Sequence, residues 1–186
     1  MVARDNMGQD SALRTSLHGV LIDVLGVGVL ILGKSGIGKS ECALDLVMRG
    51  HRLVVDDLIQ IEKWRDGSLY GFSHDLGRHH MEIRGLGLVD IEKLFGIAAT
   101  TDRKRIELII ELVEPEECID DRVGLKEETY TILEVKIPRK RIPVRPGRNL
   151  TAIVEVAARD YLLKKGGYNT AREFEKELLM NLKKRE

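Results

Sequence analysis

Eight consecutive residues, Gly33-Lys34-Ser35-Gly36-Ile37-Gly38-Lys39-Ser40, constrain this chain more than any other feature. They fill every fixed position of the Walker A pattern. The flanks are those the pattern needs. The apolar run Val29-Leu30-Ile31-Leu32 predicts a buried strand before the loop, and Glu41 to Met48 carries a helical pattern after it. Glycines let the backbone wrap so that successive N–H groups point at phosphate oxygens, and the helix N-terminus adds its positive end. The implied ligand class is a polyphosphate. Lys39 is placed to reach the β- and γ-phosphates, and the Ser40 hydroxyl to take a place on Mg²⁺. The bland alternative is a glycine-rich strand-to-helix turn that merely fits the pattern.

A chain of 186 residues fits one domain with a sizeable core. Thirty basic and thirty acidic residues cancel, so no overall field favours nucleic acid. No apolar run approaches the ~20 residues of a membrane span, and no secretory pattern opens the chain. Cys42 and Cys118 lie far apart, the first expected to pack in the helix after the loop and the second in a charged loop. The expectation is a reduced, cytoplasmic protein without membrane or nucleic-acid partners. Residues 1–16 are polar and weakly patterned. They are expected to form a flexible extension or linker remnant, with residues 17–186 as the folded domain.

Order is expected from His18-Gly19. Val20 to Val24 and Val27 to Leu32 predict two strands joined near Leu25-Gly26, and Gly50 ends the helix after the loop. His51 to Val55 predicts a strand that delivers Asp56-Asp57 at its C-terminal end. Ile59 to Trp64 and Ser68 to Phe72 predict a hairpin around Asp66-Gly67. Asp90 caps a short helix through Phe95, stopped by Gly96. Ile106 to Val113 and Ile132 to Ile137 are further strand candidates. A helix over Leu150 to Tyr161 ends at Gly166-Gly167, and Thr170 to Glu173 reads as a capping box opening a last amphipathic helix.

Asp56-Asp57 follows Lys39 by only one helix and one strand. One carboxylate can hold Mg²⁺ while its neighbour faces an incoming hydroxyl. Adjacent strand residues point to opposite faces, so both roles require that the strand is ending and its pleat has relaxed. The alternative is a polar strand terminus capping the next turn.

Several segments in order resemble one family, the HPr kinase/phosphorylases, which modify a serine on the phosphocarrier protein HPr. They are His18-Gly19-Val20-Leu21-Ile22-Asp23, the Walker loop with Ser40-Glu41, and Arg49-Gly50-His51-Arg52-Leu53 leading into Asp56-Asp57. Met81-Glu82-Ile83-Arg84-Gly85-Leu86-Gly87 and Asp102-Arg103-Lys104-Arg105-Ile106 follow. Asp121-Arg122-Val123-Gly124-Leu125, Pro143-Val144-Arg145-Pro146-Gly147-Arg148-Asn149-Leu150 and Glu155-Val156-Ala157-Ala158 complete the set. The resemblance spans His18 to about Lys183.

The resemblance implies a bifunctional enzyme. It phosphorylates HPr with ATP or pyrophosphate, and dephosphorylates it with inorganic phosphate, releasing pyrophosphate. The implied fold is α/β, a P-loop mixed-sheet domain related to phosphoenolpyruvate carboxykinase and assembled as a hexamer. Family catalytic positions match His18, Lys39, the Asp56-Asp57 pair and Arg122. Metal ligands match Ser40 and Glu82, and the loop Pro143, Val144, Arg145, Pro146, Gly147 and Arg148 matches the parts tied to dephosphorylation. Family members of typical length carry a further N-terminal domain that this sequence lacks.

The residues themselves leave alternatives. His18 alone reads as a surface histidine. Glu82 and Arg84 face phosphate or metal, or form a mere cross-strand pair. His79-His80 is expected to be a solvated loop end without zinc, and His51 and His74 structural or exposed. Arg139-Lys140-Arg141 lacks interleaved aromatics and reads as a solvated edge or a dock for an acidic partner. A nucleotide-sensing module with little chemistry is the reading from another class, and a small-molecule P-loop kinase a further one. The carboxylate pair, Glu82 and Arg122 favour the protein-serine enzyme, because a sensor needs no base for an incoming hydroxyl.

Overall fold

The computed structural model describes residues 13–73, 78–117 and 127–183, with side chains through Met180. In chain order the strands and helices are β1 (Arg14–Val24), β2 (Val27–Gly33), α1 (Lys39–Met48), β3 (Arg52–Lys63), β4 (Leu69–Phe72), β5 (His80–Ile83) and β6 (Gly87–Asp90). There follow α2 (Ile91–Phe95), β7 (Arg103–Arg105), β8 (Leu108–Val113), β9 (Glu128–Ile132), β10 (Val135–Pro143), α3 (Leu150–Lys165) and α4 (Thr170–Lys183). Eight strands form one mixed sheet in the order β7-β4-β3-β1-β2-β8-β10-β9, and β5 pairs with β6 apart from it. β2, β8 and β10 run parallel and the other neighbours antiparallel.

The near-continuous apolar runs of the central strands are covered on both faces, which is why they lack polar alternation. Val20, Ile22, Val29, Ile31 and Ile110 pack against Cys42, Ala43, Leu46 and Val47 of α1 and Val154 and Ala158 of α3. Leu21, Leu30 and Ile109 point the other way, onto Ile59, Ile61, Ile132 and Ile137. On that second face the sheet curls until Lys63 Nζ donates to the Leu133 carbonyl at 3.0 Å. No helix among the described residues is long and apolar enough to cross a membrane.

Most expected elements are present, and the differences have local causes. β1 begins at Arg14, whose side chain meets Glu62 of β3, so residues 14–16 are strand rather than extension. β3 runs unbroken through Asp56 and Asp57 to Lys63 instead of ending there. Ile132 to Ile137 is not one strand but a hairpin corner. Leu133 and Glu134 take φ of 45° and 66°, a two-residue turn without its usual glycine. β7 is three residues long and had no periodicity to reveal it. The last helix is capped by Asn169 Oδ1, which accepts from Arg172 N, so Thr170 is its first residue and not its cap. Arg139 and Arg141 form no solvated patch, since both pair with Glu128 and Arg139 also pairs with Glu111. Cys118, His74 and Arg122 lie outside the described residues.

At the sheet end remote from the Walker loop, Asp23 is 4 % exposed. It accepts from Gly26 N at 2.9 Å, from Arg52 at 2.6 Å and from Lys104 at 3.0 Å. Burial alone would raise its pKa, but the hydrogen bonds and charges of Lys104 and Arg52 outweigh burial and hold it below the ordinary value. A depressed folded-state pKa contributes stability that is fully present above the unfolded value near ~3.9 and is lost as pH falls through the folded one. Asp23→Asn is expected to lower stability at pH 7 by about 1–3 kcal/mol. It should also flatten the acid limb of the curve below about pH 4. Urea melts across pH check this, and an unchanged acid limb would refute it.

Candidate active site

The Walker loop leaves β2 beside the C-terminal end of β8. Gly33 pairs with Leu112, and a Cβ on Gly33 would lie 2.6 Å from the Leu112 carbonyl oxygen. Gly36 and Gly38 take φ of 77° and 103°, and Gly38 is the N-cap of α1. These left-handed turns are open to glycine at no steric cost. Lys39 Nζ donates to the carbonyls of Gly33 and Lys34, each at 3.0 Å, spanning the mouth of the loop. The Lys34 ammonium is held by Glu117, just after β8. Arg84 crosses from the β5–β6 hairpin, with Nη2 3.1 Å from where a Gly36 Cβ would sit.

The two adjacent carboxylates meet this loop differently. Ser40 Oγ donates to Asp56 Oδ1 at 2.9 Å, and Glu82 N donates to Asp56 Oδ2 at 3.3 Å. Burial raises the Asp56 pKa, with the Asp57 charge adding to it, against the lowering hydrogen bonds from Ser40 and Glu82. Asp57 adopts a φ of 76°, outside the extended region. That left-handed residue breaks the pleat locally while the strand continues, and both carboxyls reach one cleft. Aspartate is among the few residue types that tolerate this conformation. Asp57 Oδ1 lies 3.2 Å from His18 Nδ1, and both side chains are exposed. Opposite Asp57 in the ladder stands Gly19. A Cβ there would lie 2.6 Å from the Ile31 carbonyl oxygen.

The cleft has a volume of about 360 Å³ and is lined by Ser35, Gly36, Gly38, Lys39, Ser40, Asp56, Asp57, Glu82 and Arg84, all expected from sequence. Gly33, Lys34 and Ile37 complete the same loop, with the Ile37 side chain turned into the core. His18 joins through Asp57. Gly19, Glu41, Ile83, Gly85 and Gly87 also line the cleft and were not singled out as site residues. Their signal lay in the recognisable segments around them, but a glycine that merely makes room is silent in a search for reactive groups. The Pro143–Arg148 loop leaves the same sheet end as the Walker loop, since Pro143 pairs with Val113 and Gly33 with Leu112, but none of Pro143, Val144, Arg145, Pro146, Gly147 or Arg148 lines the cleft. Arg148 Nη1 donates to the Pro143 carbonyl at 3.1 Å, and Val144 N to Val113 O at 2.9 Å.

Of the remaining expectations, that for His79 is corrected while those for His51 and Cys42 hold. His79 is no solvated loop end, since its ring is mostly buried between Glu92 and Asp102. His51 is buried and meets Glu155 at 2.9 Å. Burial pushes the Cys42 thiol up to about 11, as befits a packed rather than reactive cysteine. Among the described residues no group of three or more His, Cys, Asp and Glu side chains is arranged to hold a metal. Ser40, Asp56 and Glu82 all line the cleft, with Ser40 hydrogen-bonded to Asp56, a hard donor set too small for a dedicated cage. It suits an ion that keeps waters and shares phosphate oxygens, as Mg²⁺ does.

Residues 9–178 match the HPr Serine kinase C-terminal domain family. The chain belongs to that family. It is 57 % identical over 172 residues to the HPr kinase/phosphorylase of Geobacter sulfurreducens, covering 92 % of this chain and 54 % of that protein. It is 55 % identical over 162 residues to the HPr kinase/phosphorylase of Geobacillus thermodenitrificans, covering 86 % and 52 %. The chain thus spans about half the length of the curated relatives it matches. The structure of the HPr(Ser) kinase/phosphatase from Coxiella burnetii superposes with a TM-score of 0.77 at 36 % identity, covering 86 % of this chain and 98 % of that one. Membership of the HPr kinase family agrees with a mixed, curled sheet carrying a Walker loop between β2 and α1.

Because the Gly19 Cβ position is occupied by backbone, Gly19→Ala is expected to cost about 1–3 kcal/mol of stability. Chemical denaturation checks it, and a variant as stable as the parent would show that β1 and β2 part without cost.

Proposed function

We propose that this cleft transfers a phosphoryl group from ATP or pyrophosphate to a serine hydroxyl on HPr, and returns it to inorganic phosphate with release of pyrophosphate. One observation carries the reading: two neighbouring carboxylates, turned apart by the Asp57 backbone, serve different halves of a cleft that also holds Lys39. A serine hydroxyl is a poor nucleophile and needs a base within hydrogen-bond reach. Asp57 faces the open side and takes that part, and His18 beside it holds the carboxylate in place. Asp56 faces Ser40 and takes the metal side. Ser40, Glu82 and Asp56 would hold Mg²⁺, which supplies charge neutralisation on the phosphates when bound.

Lys39, the α1 N-terminus and Arg84 offset the remaining charge and align donor and acceptor. A loop built for β- and γ-phosphates also accommodates two separate phosphoryl groups. In the reverse direction inorganic phosphate occupies the inner position and the phosphoserine the outer one, with Asp57 returning its proton to the departing serine oxygen. Arg122 and the Arg145–Arg148 loop are proposed to hold the phosphoserine. The wider reading includes a P-loop fold related to phosphoenolpyruvate carboxykinase, a hexamer and a cytoplasmic setting. The catalytic unit is taken as residues 17–186, with β1 adding the three residues before it. A nucleotide sensor would have no use for the Asp57–His18 pair.

Asp57→Asn keeps the shape and loses the proton-accepting charge. It is expected to slow transfer to HPr by about 10²–10⁴-fold while nucleotide affinity holds. Undiminished transfer in that variant, read by intact mass, would remove Asp57 as the base. Lys39→Met is expected to abolish both directions, because both pass through one phosphate site. Normal rates in either direction would contradict the shared site. With phosphorylated HPr as substrate, dephosphorylation should require added phosphate and yield pyrophosphate. Equal loss of phosphate without it, and no pyrophosphate, would mean hydrolysis.

A further inference from the structure

The β5–β6 hairpin has two unlike faces. Met81, 1 % exposed, and Val89 pair across it and pack into the core. On the other face Glu82 pairs with Leu88. Directly opposed residues share a face with their Cβ atoms only about 4.5–5.5 Å apart. Glu82 lines the cleft, so Leu88 stands at the cleft's edge, 71 % exposed. Leu86, 70 % exposed, occupies the connecting turn between Gly85 and Gly87, both of which line the cleft. Those glycines take φ of 85° and 93°, which fixes a tight tip, and Leu86 N donates to the Ile83 carbonyl at 3.0 Å. Glu82 N also donates to Asp56, so the hairpin is registered on the carboxylate pair itself.

A single exposed leucine needs no explanation. Two large exposed apolar side chains at the tip of one hairpin, beside a polar catalytic cleft, are the pattern of a surface that a partner covers. We propose that Leu86 and Leu88 form a docking ledge for the folded protein that carries the acceptor serine, and that this partner presents an apolar patch beside that serine. The inference rests on the phosphotransfer reading. When a serine on a folded protein reaches Asp57, the surface around it must rest on the rim, and the ledge is an exposed apolar part of that rim. A small-molecule acceptor would gain nothing from it. The contact supplies affinity and orientation and takes no part in bond making.

The test compares the parent protein with Leu86→Ser/Leu88→Ser, using HPr as acceptor and ATP with Mg²⁺ as donor. Interface leucines that are buried on docking predict a KM for HPr raised by about tenfold or more. The KM for ATP and the rate at saturating HPr should stay within about twofold, since no group at the reacting atoms has changed. Leu86→Met/Leu88→Met, which keeps apolar volume, should restore the KM. An unchanged KM for HPr in the serine variant would overturn the ledge. So would a drop in oligomer mass by light scattering with KM intact, which would show that a second copy covers these residues. A parent protein inert toward HPr would instead overturn the phosphotransfer reading beneath it.

Discussion

Two carboxylates side by side on a pleated strand cannot face the same cleft, and the structure is organised around the one residue that breaks this rule. Asp57 turns to a φ of 76° in the middle of β3, opposite Gly19, whose own Cβ position is closed off by the Ile31 carbonyl and the Leu32 side chain. The turn separates the pair by environment. Asp56 is drawn in, hydrogen-bonded to the first turn of α1 through Ser40 and raised in pKa by burial, whereas Asp57 stays exposed beside His18. A left-handed non-glycine residue costs roughly 1–2 kcal/mol. The continuous β1–β3 ladder on both sides of it over-determines the conformation, as strained functional residues require.

The rest of the fold holds this corner in place. Parallel β2 and β8 bring the Walker loop and Leu112 to one sheet edge, and β1, antiparallel to both β2 and β3, carries His18 and Gly19 across to it. Helix α1 is clamped between the sheet and α3 by Leu46, Val47 and Val154. The position of Lys39 and Ser40 is therefore a property of the core and not of a mobile loop. Sites on rigid elements hold catalytic distances better than sites on loops alone. The β5–β6 hairpin is a lining strand pair outside the main sheet. It is tied to the site by the Glu82–Asp56 hydrogen bond and by Arg84 lying on Gly36.

The loop, its flanking strand and helix, the Asp66-Gly67 hairpin and the Asp90 cap were legible because each has a local chemical signature. The β9–β10 corner was not. Its turn places Leu133 and Glu134 at positive φ, where residue type gives no warning. The continuity of β3 was hidden for a related reason, since a charged pair in a strand reads as an end. The residues that line the cleft were legible as a set of residue types, but not the different environments of Asp56 and Asp57, which depend on one dihedral angle. The reason for Gly19 and the Lys34–Glu117 pair were out of reach, because both arise from contacts between segments distant in sequence.

The most direct test of the account is a crystal structure of the protein with an unreactive ATP analogue and Mn²⁺ in place of Mg²⁺, located by its anomalous scattering. The metal is expected at bonding distance from the Asp56 side of the cleft, with Ser40 and Glu82 in its reach. Asp57 should be unbound to metal, still paired with His18 and facing the terminal phosphate. A metal held by Asp57 with Asp56 turned away, or bound outside this cleft, would contradict it.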